Sequence, residues 1–170
     1  MGGPAESLAS ALKMLGEAGV AIRAISRFFA TPCFPAGAGP DYVNAAALVS
    51  DPREPAALLR VLHEIEAVHG RKRLQRWGMR TLDLDLIAYD QQVIPDVDTA
   101  TAWRTLPPEQ QVERTPDQLI LPHPRLQDRA FVLVPMADIA PQWCHPLTGR
   151  SVARMLADLP KAAVAEIRPQ

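Results

Sequence analysis

Apolar residues recur at helical spacing twice in the first 70 residues, each time behind a proline, and β-type runs lie between and after these two segments. Leu8, Leu12 and Leu15 mark one face of a helix over about residues 5–18, with Pro4 suited to its first turn and Gly16 and Gly19 available to end it. Leu58, Leu62, Ile65 and His69 share a face of a second helix that Pro55 opens. Between the helices, Val20–Phe29 is rich in β-branched and aromatic residues and Tyr42–Val49 reads as a second strand. Residues 31–40 hold three prolines and two glycines, so they form a loop. The third strand is Leu82–Tyr89: side chains alternate across a strand, so Leu82, Leu84 and Leu86 face a core while Asp83 and Asp85 emerge together. The order helix, strand, strand, helix, strand is that of the split βαββαβ motif with its first strand absent.

Val93-Ile94 can add a short partner strand, and residues 95–118 are polar and proline-rich, a long excursion with little core. Ala130–Ile139 and Val152–Leu159 are C-terminal helix candidates, and no internal repeat is visible. A chain of 170 residues has the length of one domain. The net charge of -1 excludes a global attraction to nucleic acid or anionic lipid, so any basic function must be local. Cys33 and Cys144 are far apart and without metal-like spacing, which points to free thiols in the cytoplasm. No basic segment leads into an apolar one at the N-terminus, and no apolar run approaches the roughly 18 residues of a membrane span.

Aspartate is a poor strand former, so two at consecutive outward positions ask for a reason. A carboxylate pair of this kind holds Mg²⁺ together with phosphate oxygens and water; a half-exposed strand with an acidic outer face would carry the same pattern. Arg71, Lys72, Arg73, Arg76 and Arg80 place five cations within ten residues just upstream, interrupted by Trp77-Gly78. Arginine forks match phosphate oxygens, so the run reads as a phosphate clamp, with a solvated basic loop as the plain alternative. His123, set between Pro122 and Pro124 and followed by Arg125 and Arg129, suits a positioned phosphate or ribose contact. Asp41-Tyr42-Val43-Asn44 offers an aromatic face beside an amide, groups that suit a flat heterocycle or merely start a strand. There is no P-loop sequence, no Gly-x-Ser-x-Gly elbow and no zinc-like histidine spacing.

The segment Arg76-Trp77-Gly78-Met79-Arg80-Thr81-Leu82-Asp83-Leu84-Asp85 resembles the signature of the 6-hydroxymethyl-7,8-dihydropterin pyrophosphokinase family. Thr31-Pro32, Asp41–Ala45, Ile65-Glu66 with Gly70-Arg71, and Pro122-His123 with Arg129-Ala130-Phe131 resemble its other marked stretches in the same order, over most of residues 2–140. The resemblance implies an α+β, ferredoxin-like sandwich with added C-terminal helices, a monomer that transfers pyrophosphate from ATP to the pterin's hydroxymethyl oxygen and releases AMP in folate biosynthesis. It implies two Mg²⁺ ions on Asp83 and Asp85, with Asp83 also orienting or deprotonating the hydroxyl. Arg71 and Arg80 resemble residues that stabilise the moving group, and Glu66, Arg73, His123 and Arg129 resemble nucleotide contacts. Tyr42 and Phe131 would sandwich the pterin ring, Asn44 and the backbone around Thr31, Pro32 and Phe34 would read its edge, and Trp77 would close over the site on a loop.

The chain departs from that pattern at Met79, where proline is usual, at Pro124 after the histidine, and in the length of residues 95–117. The largest departure is at the start, where a strand ending in Gly-Ser-Asn is expected ahead of Gly2-Gly3-Pro4. Unpaired backbone groups on its neighbours would cost about 1–3 kcal/mol each if buried. Two readings follow, an active pyrophosphokinase whose start lies upstream of Met1 and a catalytically inactive pterin- or nucleotide-binding remnant; another Mg²⁺-dependent nucleotidyltransferase is a third.

Overall fold

A computed structural model describes residues 3–33, 41–70 and 82–170. Helix α1 runs over Pro4–Glu17, with Pro4 in its first turn and the Glu6 carboxylate accepting from the Gly3 backbone N–H at 3.1 Å. It ends at Gly19, whose φ of +83° is the left-handed conformation that a helix terminus takes most easily with glycine. Helix α2, Pro55–Val68, also opens on proline, and Gly70 follows it with a φ of +88°. Both helices are close to the sequence expectation because proline and glycine punctuate their ends.

The two expected strands of the first half are each broken in the middle. Val20–Phe29 divides into β1 (Ala21–Ile25) and β2 (Phe29–Thr31), and Tyr42–Val49 divides into β3 (Tyr42–Asn44) and β4 (Ala47–Ser50). The breaks face one another. Ser26 N donates to the Ala46 carbonyl at 2.9 Å, and Ala46 N donates to the Ser26 hydroxyl at 2.9 Å, so a side chain replaces one rung of the ladder. β1 pairs antiparallel with β4, and β2 pairs antiparallel with β3, with Thr31 opposite Tyr42. A last strand, β5 (Arg168–Pro169), lies on the other edge of β2.

Residues 82–89 hold the alternation but no strand ladder among the described residues. Leu82 is buried, Asp83 and Asp85 are exposed, and Leu84, Leu86 and Tyr89 pack on a core built by Ala11, Leu15, Val20, Leu58, Leu62 and Ile65. Ile87 packs on a second core of Leu126, Leu133, Val152 and Met155. The segment therefore runs between two apolar layers, with α1 and α2 on one side and the C-terminal helices on the other. Among the described residues its partners are not strand rungs: Leu84 N donates to Glu66 Oε1 at 2.8 Å, His123 N donates to the Ile87 carbonyl at 2.8 Å, and the Tyr89 hydroxyl donates to the carbonyls of Asp51 and Arg53.

Helix α3 (Val97–Arg104) and helix α4 (Pro108–Glu113) occupy the expected excursion, and of α3 only Ala100 is buried. Val93-Ile94 is reduced to a single bridge between Ile94 and Leu121. Helix α5 spans Ala130–Ile139 as expected despite Pro135 inside it, and α6 (Val152–Ala157) and α7 (Lys161–Ala165) follow. Asp138 near the end of α5 receives a fork from Arg27, Nη2 to Oδ1 at 2.7 Å and Nε to Oδ2 at 2.9 Å, which ties the β1–β2 junction to that helix. The architecture is α+β with small antiparallel sheets. No helix among the described residues is long and apolar enough to cross a membrane.

Candidate active site

Asp83, Asp85 and Ile87 share one face of their segment by alternation, and Ile87 packs on the core that Leu126 and Leu133 build. The two carboxylates thus look toward the stretch carrying His123, Arg125 and Arg129. The electrostatics agree with this placement. Arg129 is partly buried, and its guanidinium is pushed below the usual value by burial and then by Arg125, while Asp85 and Asp83 oppose that push. Its guanidinium and the two carboxylates lie within electrostatic reach of one another.

His123 is pushed down to about 4, first by burial and next by the Arg129 charge. Its Nδ1 accepts from Arg125 N at 3.1 Å, which assigns the proton of the neutral ring to Nε2. His123 therefore faces the site as an uncharged N–H donor, and the cationic work is left to the arginines. Arg125 belongs to the same basic stretch, but the sequence did not assign it a role of its own. It acts on both His123 and Arg129, and its Nε is buried without a hydrogen-bond partner among the described residues. The signal was present in the Pro122–Arg129 run, but a lone arginine beside a histidine does not announce burial.

Glu66 is only 1% exposed. Its Oε1 takes the N–H of Leu84, the residue between the two aspartates, so α2 fixes the backbone that aims them. A carboxylate on an amphipathic helix reads as solvated or ligand-facing; the fold gives it a backbone donor.

The second half of the site lies on β2, β3 and the start of α5, which meets both strands. Thr31 is buried, and its hydroxyl accepts from Asn44 Nδ2 at 2.7 Å across the pair. Tyr42 and Phe131 are exposed aromatics, and the Arg129 guanidinium lies 5.6 Å from the centre of the Phe131 ring, a cation–π distance. Phe131 thus links the aromatic part to the charged part. The buried Cys33 thiol donates to the Tyr42 hydroxyl at 3.7 Å, and this contact, followed by burial, pushes the tyrosine's pKa up. Cys33 N and Asp41 Oδ1 meet at 3.4 Å, while Pro32 is exposed beside them. Of the residues named from the sequence, Thr31, Pro32, Tyr42, Asn44, Glu66, Asp83, Asp85, His123, Arg129 and Phe131 are placed here. Phe34, Arg71, Arg73, Trp77 and Arg80 lie outside the described residues.

Residues 1–141 match the family model for 7,8-dihydro-6-hydroxymethylpterin-pyrophosphokinase (HPPK). The chain belongs to this family. Among similar proteins, a Synechocystis relative named 2-amino-4-hydroxy-6-hydroxymethyldihydropteridine pyrophosphokinase is 37% identical over 130 residues, which is 76% of this chain and 56% of the relative. A relative of the same name from Methylorubrum extorquens is 32% identical over 168 residues, covering 98% of this chain and 92% of its own. A third, from Haemophilus influenzae, is 33% identical over 138 residues, 81% and 74% of the two chains. The span matched by the HPPK family model contains every site residue described above. It ends before α6, α7 and β5.

Proposed function

We propose that this HPPK-family chain, acting as one domain over residues 1–170 and as a cytoplasmic monomer, transfers pyrophosphate from ATP to the hydroxymethyl oxygen of 6-hydroxymethyl-7,8-dihydropterin in folate biosynthesis. The observation that carries the reading is the facing of Asp83 and Asp85 onto His123 and Arg129, with Phe131 beside Arg129 at the start of the helix that meets β2 and β3. The finer fold that goes with it is the ferredoxin-like βαββαβ sandwich without its first strand, with β1, β4 and the extended segment 82–89 in the strand positions, α1 and α2 as its helices and the later helices added.

In the reaction the alcohol oxygen forms a bond to the β-phosphorus of ATP, and the bond from that phosphorus to the α,β-bridging oxygen breaks. AMP leaves with the electron pair, and the hydroxyl proton passes to Asp83 or to solvent. The residues fit Mg²⁺: two exposed carboxylates on one face are hard oxygen donors that leave positions for phosphate oxygens and water. Two Mg²⁺ ions held by Asp83 and Asp85 would supply charge neutralisation on the triphosphate. The chain's own residues supply positioning. Glu66 holds the aspartate backbone, Arg129 contributes fixed positive charge, and the His123 Nε2–H donates to the nucleotide. Tyr42 and Phe131 offer ring faces to the pterin, and Thr31 and Asn44 read its polar edge. Arg71, Arg73 and Arg80 complete the phosphate contacts, Trp77 covers the site, and Pro32 and Phe34 shape the pterin loop.

The alternatives, an inactive remnant and a nucleotidyltransferase, are not favoured by relatives named as pyrophosphokinases. The test is chromatography of ATP incubated with the protein. AMP must form only when both Mg²⁺ and the pterin alcohol are present; AMP formed without the alcohol would refute the assignment.

A further inference from the structure

Strand β2 has three residues and two neighbours, β3 on the side of Tyr42 and Asn44 and β5 on the other. β5 lies outside the span matched by the HPPK family model, yet it reaches the strand that carries Thr31. Its register is Ala30 opposite Arg168 and Phe29 opposite Pro169, and Gln170 N donates to the Phe28 carbonyl at 2.9 Å. Antiparallel pairs alternate between hydrogen-bonded and non-bonded positions. With Gln170 bonded to Phe28, the next bonded position is Arg168 with Ala30, and Pro169 falls where no N–H is needed. Proline therefore does not interrupt this short ladder. Beside it lies a cavity of about 250 Å³ lined by Ala30, Pro32, Asp41, Glu166 and Arg168. Pro32 and Asp41 come from the two ends of the loop between β2 and β3, and Glu166 and Arg168 from the C-terminal segment.

We infer that β5 is a positioning element for pterin recognition: it clamps the outer edge of β2, which fixes the Thr31–Asn44 pair, and its Arg168 and Glu166 wall the cavity at the loop's base. This rests on the proposed function. A three-residue strand paired on one side only has few rungs to hold it, because two-stranded pairings of this length are marginal by themselves. Loss of β5 leaves the β2–β3 pair free to shift. The nucleotide half of the site, on residues 82–89 and 123–129, is built by other elements and keeps its geometry.

The experiment compares the full chain with a chain ending at Ile167, with Arg168→Pro, which removes an N–H at a bonded position, and with Arg168→Ala, which keeps the ladder and removes the side chain. Pterin Kd is read by fluorescence titration, pterin and ATP KM by turnover, and folding by Tm. Truncation and Arg168→Pro are expected to raise pterin Kd and KM about tenfold, the scale of a few lost hydrogen bonds, with ATP KM unchanged within about twofold. Arg168→Ala is expected to raise pterin Kd about threefold, on the scale of one polar contact. Unchanged pterin Kd in all three variants overturns the inference, as does a parallel rise in both KM values with a fall in Tm. A parent chain that binds the pterin without producing AMP overturns the functional reading instead, and the Kd comparison still decides the role of β5.

Discussion

Asp83 and Asp85 are aimed through the backbone between them, because the Glu66 carboxylate takes the N–H of the intervening Leu84. In the proposed reaction each aspartate anchors charge that the triphosphate needs neutralised. Asp83→Ala is expected to cost several kcal/mol of transition-state stabilisation, roughly a 10²- to 10³-fold loss of kcat, with Tm within a few degrees of the parent. Near-normal turnover would remove Asp83 from the site. The histidines make a second residue-level prediction. His123 and His145 are both pushed down to about 4 by burial, and in both rings Nδ1 accepts the N–H of the residue two positions on, beyond a proline. A folded value below the ordinary 6.5 means that the unfolded chain binds more protons between those limits. Stability is fully present above pH 6.5 and falls as the pH drops toward about 4, on the order of 1–3 kcal/mol for each ring. Urea midpoints at a series of pH values check this, and His145→Gln, which keeps an acceptor without a titration, should flatten the slope. A flat profile between pH 6.5 and 4 would contradict both assignments.

At the level of elements, α2 matters to the site through one bond. Glu66→Ala is expected to lower kcat about tenfold or more by loosening the Leu84 backbone, while Glu66→Gln, whose carbonyl oxygen still accepts, should recover much of it. Equal losses in both variants would mean that the charge of Glu66, and not its acceptor, is what the site uses. α1, α2 and α5 were legible in the sequence because leucine spacing, Pro4, Pro55 and the glycines mark their faces and ends. The breaks at Ser26 and Ala46 were not, since a serine hydroxyl that replaces a ladder rung leaves no mark in the periodicity. β5 was hidden for another reason: Arg168-Pro169 has no strand signature, and its place in the sheet comes only from Pro169 landing at a non-bonded position. Residues 82–89 show the division most plainly. Their alternation told which side chains face in and out, and it did not show that the segment bonds to Glu66, His123, Asp51 and Arg53 in place of a neighbouring strand.

In the whole molecule two apolar layers flank residues 82–89, so the aspartate pair depends on both cores. Leu133 is fully buried in the second core, and Leu133→Ala is expected to cost about 2–5 kcal/mol of stability by transfer and cavity terms, read from the shift in urea midpoint. A cost below about 1 kcal/mol would show that this core does not support the segment. Charge and pattern in the sequence brought the metal-type and nucleotide-type residues into view. Their convergence from α2, residues 82–85, residues 123–129 and the β2–β3 pair is a property of tertiary structure alone. The proposed pyrophosphoryl transfer is tested most directly by a phosphorus NMR time course of ATP, Mg²⁺, the pterin alcohol and the protein. AMP and a pyrophosphate ester of the pterin are expected in equal amounts, with no free pyrophosphate. ADP with a monophosphate ester, free pyrophosphate, or unchanged ATP would contradict it.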